Sequence, residues 1–204
     1  MTSSRPLQLI ALTAIISVIA GVLIARMLAQ KPITLHSGTW LQPPRALAPF
    51  QLADLDGKPF GNSALLGHPS LVFFGYSSCP DVCPATLATL REVQTHADLP
   101  GLQTLFVTID PERDTPAVLR QYLSARDGAC TGLYGSRAAL APLLSSLGAA
   151  ADYRGLPGGG IAVTHSATVY LIDTRGRMAA VFTPPLSAAG LSADLHTLSL
   201  ASVL

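Results

Sequence analysis

The run Phe73-Phe74-Gly75-Tyr76-Ser77-Ser78-Cys79-Pro80-Asp81-Val82-Cys83-Pro84 constrains this chain more than any other stretch. Leu71-Val72-Phe73-Phe74 reads as a buried strand that ends in glycine. Two thiols follow at Cys-x3-Cys spacing, and Pro84 opens a helix running to about His96. Thiols at a helix N-terminus meet unpaired N–H groups, whose partial positive charge favours thiolate. Thiolate both binds metal and attacks disulfides. The chemistry therefore turns on whether these sulfurs hold a metal or exchange electrons.

The elements around this junction alternate. Phe50 to Phe60 alternates about Asp56-Gly57, a hairpin-turn signal. Leu105–Ile109 is a second buried strand, and Thr115 caps a helix with Pro116 at its first position. Thr131–Tyr134 reads as a short strand, and Ser136 caps a helix to about Leu147. Ala167–Ile172 and Met178–Phe182 form a hairpin about Arg175-Gly176, and Ser187 starts a last helix to about Leu198. This order predicts an α/β fold, a central mixed sheet flanked by helices. A thiol pair at the carboxyl end of its first central strand is the thioredoxin-like arrangement, and sites in such sheets cluster at those strand ends.

The N-terminus carries a different signal. Residues 7–25 are an apolar run with Arg5 before it and Arg26 after it. A membrane-spanning helix needs roughly 17–25 such residues, more than the h-region of a signal peptide. Arg26-Met27-Leu28-Ala29-Gln30 is a poor cleavage site, so an uncleaved transmembrane anchor over 1–28 is expected. A tether over 29–47 and one domain over 48–204 follow from the composition. The short N-terminal tail places that domain on the extracytoplasmic side, periplasmic or equivalent. Charge is nearly balanced, at +1 over 204 residues with no basic run, which argues against a nucleic-acid partner.

Two thiolates and one imidazole make a soft site suited to Cu(I) and able to hold Cu(II). Of the five histidines, His36 lies in the tether and His68 at the wrong end of the first strand. His96 and His196 fall late in helices. His165 follows the glycine-rich segment 156–160 and directly precedes a strand, a place that suits a ligand or an ordinary turn residue.

Gly75 to Pro84, then Ile109-Asp110-Pro111-Glu112-Arg113-Asp114-Thr115-Pro116, then His165-Ser166, together resemble the Sco/SenC copper proteins over roughly 48–200. The resemblance implies copper held by Cys79, Cys83 and His165. It also implies a metallochaperone that helps assemble the dinuclear copper A site of cytochrome c oxidase. That oxidase subunit is then the partner, with other copper carriers or thiol reductants beside it. Thr164 stands where the family often shows an aspartate, and Gly158-Gly159-Gly160 replaces a more charged loop. Thioredoxins place a cis-proline where this chain has Thr164-His165-Ser166, which favours metal over disulfide exchange.

Other readings bear on the same residues. The pair Cys79 and Cys83 also suits a thiol–disulfide reductase that keeps the oxidase cysteines reduced, or a copper or redox sensor. A peroxiredoxin-like peroxidase is more remote. A structural disulfide sits poorly between two prolines, and structural zinc needs four ligands. Asp81 fits a helix cap or a partner contact. Asp110, Arg113 and Asp114 fit a charged network beside the site or a turn and cap. Cys130 reads as a small buried hydrophobe.

Overall fold

The computed structural model describes residues 5–29, 33–97, 99–126, 130–149, 151–155, 161–165, 167–201 and 204, with backbone alone for 5–8, 23–29, 152–155 and 161–165. It has two units, Met1–Ile33 and Thr34–Leu204.

The first unit contains helix α1 (Arg5–Ala29). Its described side chains run from Leu9 to Val22 and are exposed, Leu9, Ile10, Ile15 and Val18 among them. Among the described residues no helix is long and apolar enough to cross a membrane. The span expected over 7–25 is thus present as a helix, but the structure does not establish it as a transmembrane one. The stretch whose side chains are described is shorter than the roughly 17–25 residues a crossing needs.

The second unit is organised by a mixed sheet. Its strands are β1 (Gly38–Ala46), β2 (Gln51–Asp54), β3 (Pro59–Gly61), β4 (Ser70–Gly75), β5 (Gln103–Thr108), β6 (Thr131–Tyr134), β9 (Val169–Ile172) and β10 (Arg177–Phe182). Their spatial order is β1-β10-β9-β4-β5-β6-β2-β3. A separate hairpin pairs β7 (Ala151–Gly155) with β8 (Ile161–His165). The helices are α2 (Val82–His96), α3 (Pro116–Ser124), α4 (Arg137–Leu147) and α5 (Ala188–Leu200).

Strands β4, β5 and β6 are parallel, because α2 and α3 carry the chain across between them. Strand β9 runs antiparallel to β4, and β10 antiparallel to β9. All six residues of β4 are buried, as a strand covered on both faces requires. Its side chains alternate between two cores. Val72 and Phe74 join Leu105, Val107, Leu133 and the α4 residues Leu140 and Leu143. Phe73 meets Phe106, which in turn meets Tyr122 of α3. Helix α2 packs against α5.

The caps fall where expected. Thr115, Ser136 and Ser187 each accept a hydrogen bond from the third backbone N–H beyond, opening α3, α4 and α5. Gly57 turns the β2–β3 hairpin at φ +81°, a conformation a side chain resists. Two expectations need correction. The stretch Gly38-Thr39-Trp40 to Pro43-Pro44, expected in a tether, is strand β1, paired with β10. Its register shifts between Trp40 and Arg45, and an edge strand with such an irregularity tolerates proline. The approach to His165, read as a flexible segment leading straight into a strand, contains β8. Residues 156–160 and Ser166 lie outside the described residues.

Candidate metal centre

Strand β4 delivers the thiols. At Gly75 an added Cβ would lie 2.7 Å from Phe106 Cε2 and 3.1 Å from Cys83 Sγ. Glycine therefore lets the sulfur rest against the strand end. The chain turns there, with the Cys79 N–H donating to the Tyr76 carbonyl at 3.2 Å. Helix α2 starts at Val82, two residues before the expected Pro84, so Cys83 lies in its first turn. The Cys83 N–H donates to Cys79 Sγ at 3.4 Å, within the longer range sulfur allows. The two cysteines are not joined in a disulfide. Asp81 occupies the capping position, but its side chain accepts no capping hydrogen bond. Val82, between the thiols, is 48 % exposed and borders an uncharged groove that continues past Ala167, Pro184 and Leu186.

The string from Asp110 to Thr115 serves as both network and turn. The Asp110 carbonyl accepts from Arg113 N (3.1 Å) and Asp114 N (2.9 Å). The Asp110 carboxylate pairs with the Arg113 guanidinium. Asp114 is 1 % exposed. Its Oδ2 accepts from Ser77 N at 3.0 Å and Thr108 Oγ1 at 2.5 Å, while Oδ1 accepts from Ser77 Oγ. One buried carboxylate thus ties the end of β5 to the loop residue two before Cys79.

The sulfurs differ in surroundings. Cys79 is 8 % exposed and Cys83 is 0 %. Burial pushes the Cys83 thiol up to about 12, reinforced by its hydrogen bond with Cys79 and opposed by backbone at Tyr76. Desolvation thus outweighs the helix N-terminus that favours thiolate. Burial also pushes the Tyr76 phenol up, and the Cys79 and Cys83 charges and a hydrogen bond to Cys79 add to this. Cys79 is accordingly expected to react with iodoacetamide at least about tenfold faster than Cys83 at neutral pH, since only thiolate is nucleophilic. Mass spectrometry of a timed alkylation tests this. Equal rates would contradict the burial argument.

His165 ends β8, its backbone paired opposite Ala151, and its side chain lies outside the described residues. Among the described residues, no three His, Cys, Asp or Glu side chains form a metal-sized group. The structure therefore brings Cys79 and Cys83 together and places the His165 backbone four residues before the start of β9. The other histidines lie elsewhere in the fold. His36 precedes β1, His68 precedes the start of β4, His96 ends α2 and His196 lies in α5. Cys130 is half-buried, with its thiol pushed up to about 11 by burial. Two contributors were absent from the sequence reading. Tyr76 hydrogen-bonds a thiol, and Tyr122 lies on the Phe106 face of the core. The spacing Leu119–Tyr122–Leu123 on α3 carried a signal for the second.

A mixed sheet with helices on it, and paired thiols where a central strand meets a helix, defines a thioredoxin-like protein with a soft-ligand site. The family model SCO1/SenC matches residues 40–199, and the chain belongs to that family. A protein of Stutzerimonas stutzeri named putative copper-binding protein is 34% identical over 152 residues, 72% of this chain and 74% of that one. The yeast mitochondrial protein SCO2 is 37% identical over 136 residues, 63% of this chain, and the match spans only 44% of that protein. The copper-bound structure of Bradyrhizobium japonicum ScoI is 37% identical, with TM-score 0.66 over 74% of this chain and 98% of that one.

Proposed function

We propose that this protein is a copper-binding metallochaperone for cytochrome c oxidase, serving the dinuclear copper A site. The observation that carries the reading is the buried pair Cys79 and Cys83, not joined in a disulfide, at the strand–helix junction of a SCO1/SenC chain. Soft sulfur donors in an apolar, closely packed setting select Cu(I). Copper displaces the thiol protons, and metal binding is coupled to their release. His165 supplies the third ligand. Partner cysteines then take the metal by displacing these ligands in turn, with no covalent change to either protein. The apolar sequence of residues 7–25 supports a membrane tether, with the domain on the extracytoplasmic side.

The test is Cu(I) titration of the reduced full chain in detergent against a competing chelator. The parent is expected to bind one copper, and Cys79→Ala/Cys83→Ala to lose it. A double variant that binds as tightly as the parent overturns the assignment. Two sulfurs this close also suit disulfide formation, so a thiol–disulfide reductase is the second reading. The two separate at His165→Ala, which is expected to impair copper binding and leave reduction of a partner disulfide intact.

A further inference from the structure

Pro84, Leu87, Ala88 and Arg91 share one face of α2, since residues three and four apart on a helix stand one above the other. With Ala125 and Arg126, just past α3, they line a cleft of about 200 Å³. Among these residues the two charges are both positive. Arg126 is half-buried. Its guanidinium carbon lies 3.8 Å from the Tyr122 ring centroid, and its Nη1 donates to the Tyr122 carbonyl at 2.7 Å. Among the described residues no carboxylate pairs with it. A cation drawn partly out of water without a counter-ion is costly, and an anion brought from outside relieves that cost. A second, water-sized cavity of about 10 Å³ shares Leu87, Arg91 and Arg126 and reaches inward to Thr104. Thr104 is 2 % exposed, and among the described residues its hydroxyl has no hydrogen-bond partner. Buried hydroxyls are rarely left so. A fixed cation and an unused polar group therefore meet at one cleft.

We propose that this cleft docks an acidic side chain of the protein that exchanges copper with this chain. The idea rests on the copper-binding reading above and adds where the partner is held. Charge calls for an anion, and the guanidinium fork matches a carboxylate. Size sets the source of that anion. Sites that enclose a whole small molecule run to roughly 300–1,000 Å³. A cleft of about 200 Å³ takes one side chain of a larger molecule instead. Position supplies the purpose. Cys83 and Arg91 lie on the same helix, eight residues apart, which is about 12 Å at roughly 1.5 Å per residue. A carboxylate gripped there holds its protein within reach of the thiols before ligands exchange. The apolar wall of Pro84, Leu87 and Ala88 keeps water from one side of the pair and strengthens it.

Arg126→Gln removes the charge and keeps an amide able to donate to the Tyr122 carbonyl. Two measurements on the full chain in detergent test the proposal, with the melting temperature as the control for folding. In the first, fluorescein-labelled hexaglutamate is titrated and read by anisotropy. The parent is expected to bind it and to ignore hexaglutamine. Arg126→Gln is expected to weaken binding about tenfold, the scale of one charge-assisted contact. In the second, the Cu(I)-loaded chain delivers copper to the reduced copper A subunit of the oxidase. The variant is expected to need about tenfold more subunit for half-maximal transfer and to lose much of the salt dependence. Its Cu(I) affinity and maximal transfer rate should match the parent's. Arg91→Gln is the second variant, expected to act in the same direction should Arg126→Gln fail to fold. Equal half-saturation in parent and variants overturns the proposal. So does competition by acetate or inorganic phosphate as strong as the peptide's own binding, which marks a site for free anions. A parent chain that binds no copper removes the copper reading itself, and the docking partner with it, whatever the peptide does.

Discussion

Replacing Asp114 with alanine is expected to destabilise the folded domain by about 3 kcal/mol and to loosen the cysteine loop, the scale on which a buried network fails when one member leaves several partners unpaired. The carboxylate accepts from one backbone N–H and two hydroxyls in a space that excludes water. Alanine leaves the Ser77 N–H with no acceptor. The two hydroxyls can rotate, but each then competes for carbonyls already engaged. Asparagine should recover more than half of the loss. Its oxygen can take the Oδ2 role toward Ser77 N and Thr108, and its NH2 can donate to a rotated Ser77 Oγ. Urea denaturation of the three proteins gives the stabilities, and alkylation of Cys83 reports the loop. The alanine variant is expected to expose Cys83 faster than the parent at urea concentrations where both remain folded. Equal stability of parent and alanine variant would falsify the claim that this carboxylate braces the site.

The same network shows what could be read from the sequence. Thr115-Pro116 announces a helix start by chemistry confined to adjacent residues, and α3 begins there. Leu71–Phe74 and Leu105–Phe106 announce buried strands by unbroken apolarity, and they lie at the centre of the sheet. The thiol junction is legible for the same reason, since strand, turn and helix are consecutive. Contacts distant in sequence are different. Nothing local to Asp114 says which of its neighbours Ser77 and Thr108 will be, because the pairing exists only once β4 and β5 lie side by side. Tyr122 of α3 meets Phe106 of β5, a pairing that local sequence does not announce. Strand β1 was hidden by its two prolines, which spoil the pattern of a central strand but not of an edge. Hairpin β7–β8 was hidden because each strand is only five residues long, too short for its alternation to stand out, and its pairing supplies the order that periodicity does not.

Asp194→Ala is the other change expected to cost about 3 kcal/mol, and its effect should be spatially selective, because two backbone donors lose a shared buried acceptor. Asp194 lies in α5 and is 0 % exposed. Its two oxygens accept from His36 N at 2.6 Å and Ser37 N at 2.7 Å, just before β1 begins. This carboxylate, rather than the strand's own sequence, fixes where β1 enters the sheet. Close packing confirms the seating: a Cβ on Gly190 would lie 2.3 Å from Ser37 Oγ, and one on Gly38 would lie 2.4 Å from the Phe182 ring. With β1 paired only to β10, loss of the clamp should release the edge first and leave β4 and β5 protected. Amide exchange at Thr39 and Trp40 is then expected to accelerate roughly 100-fold, the factor equivalent to about 3 kcal/mol of local opening. Exchange at Phe73 and Phe106 should change far less. If those central amides accelerate as much as Thr39, the edge does not open independently, and the carboxylate contributes to the whole domain rather than to the docking of one strand.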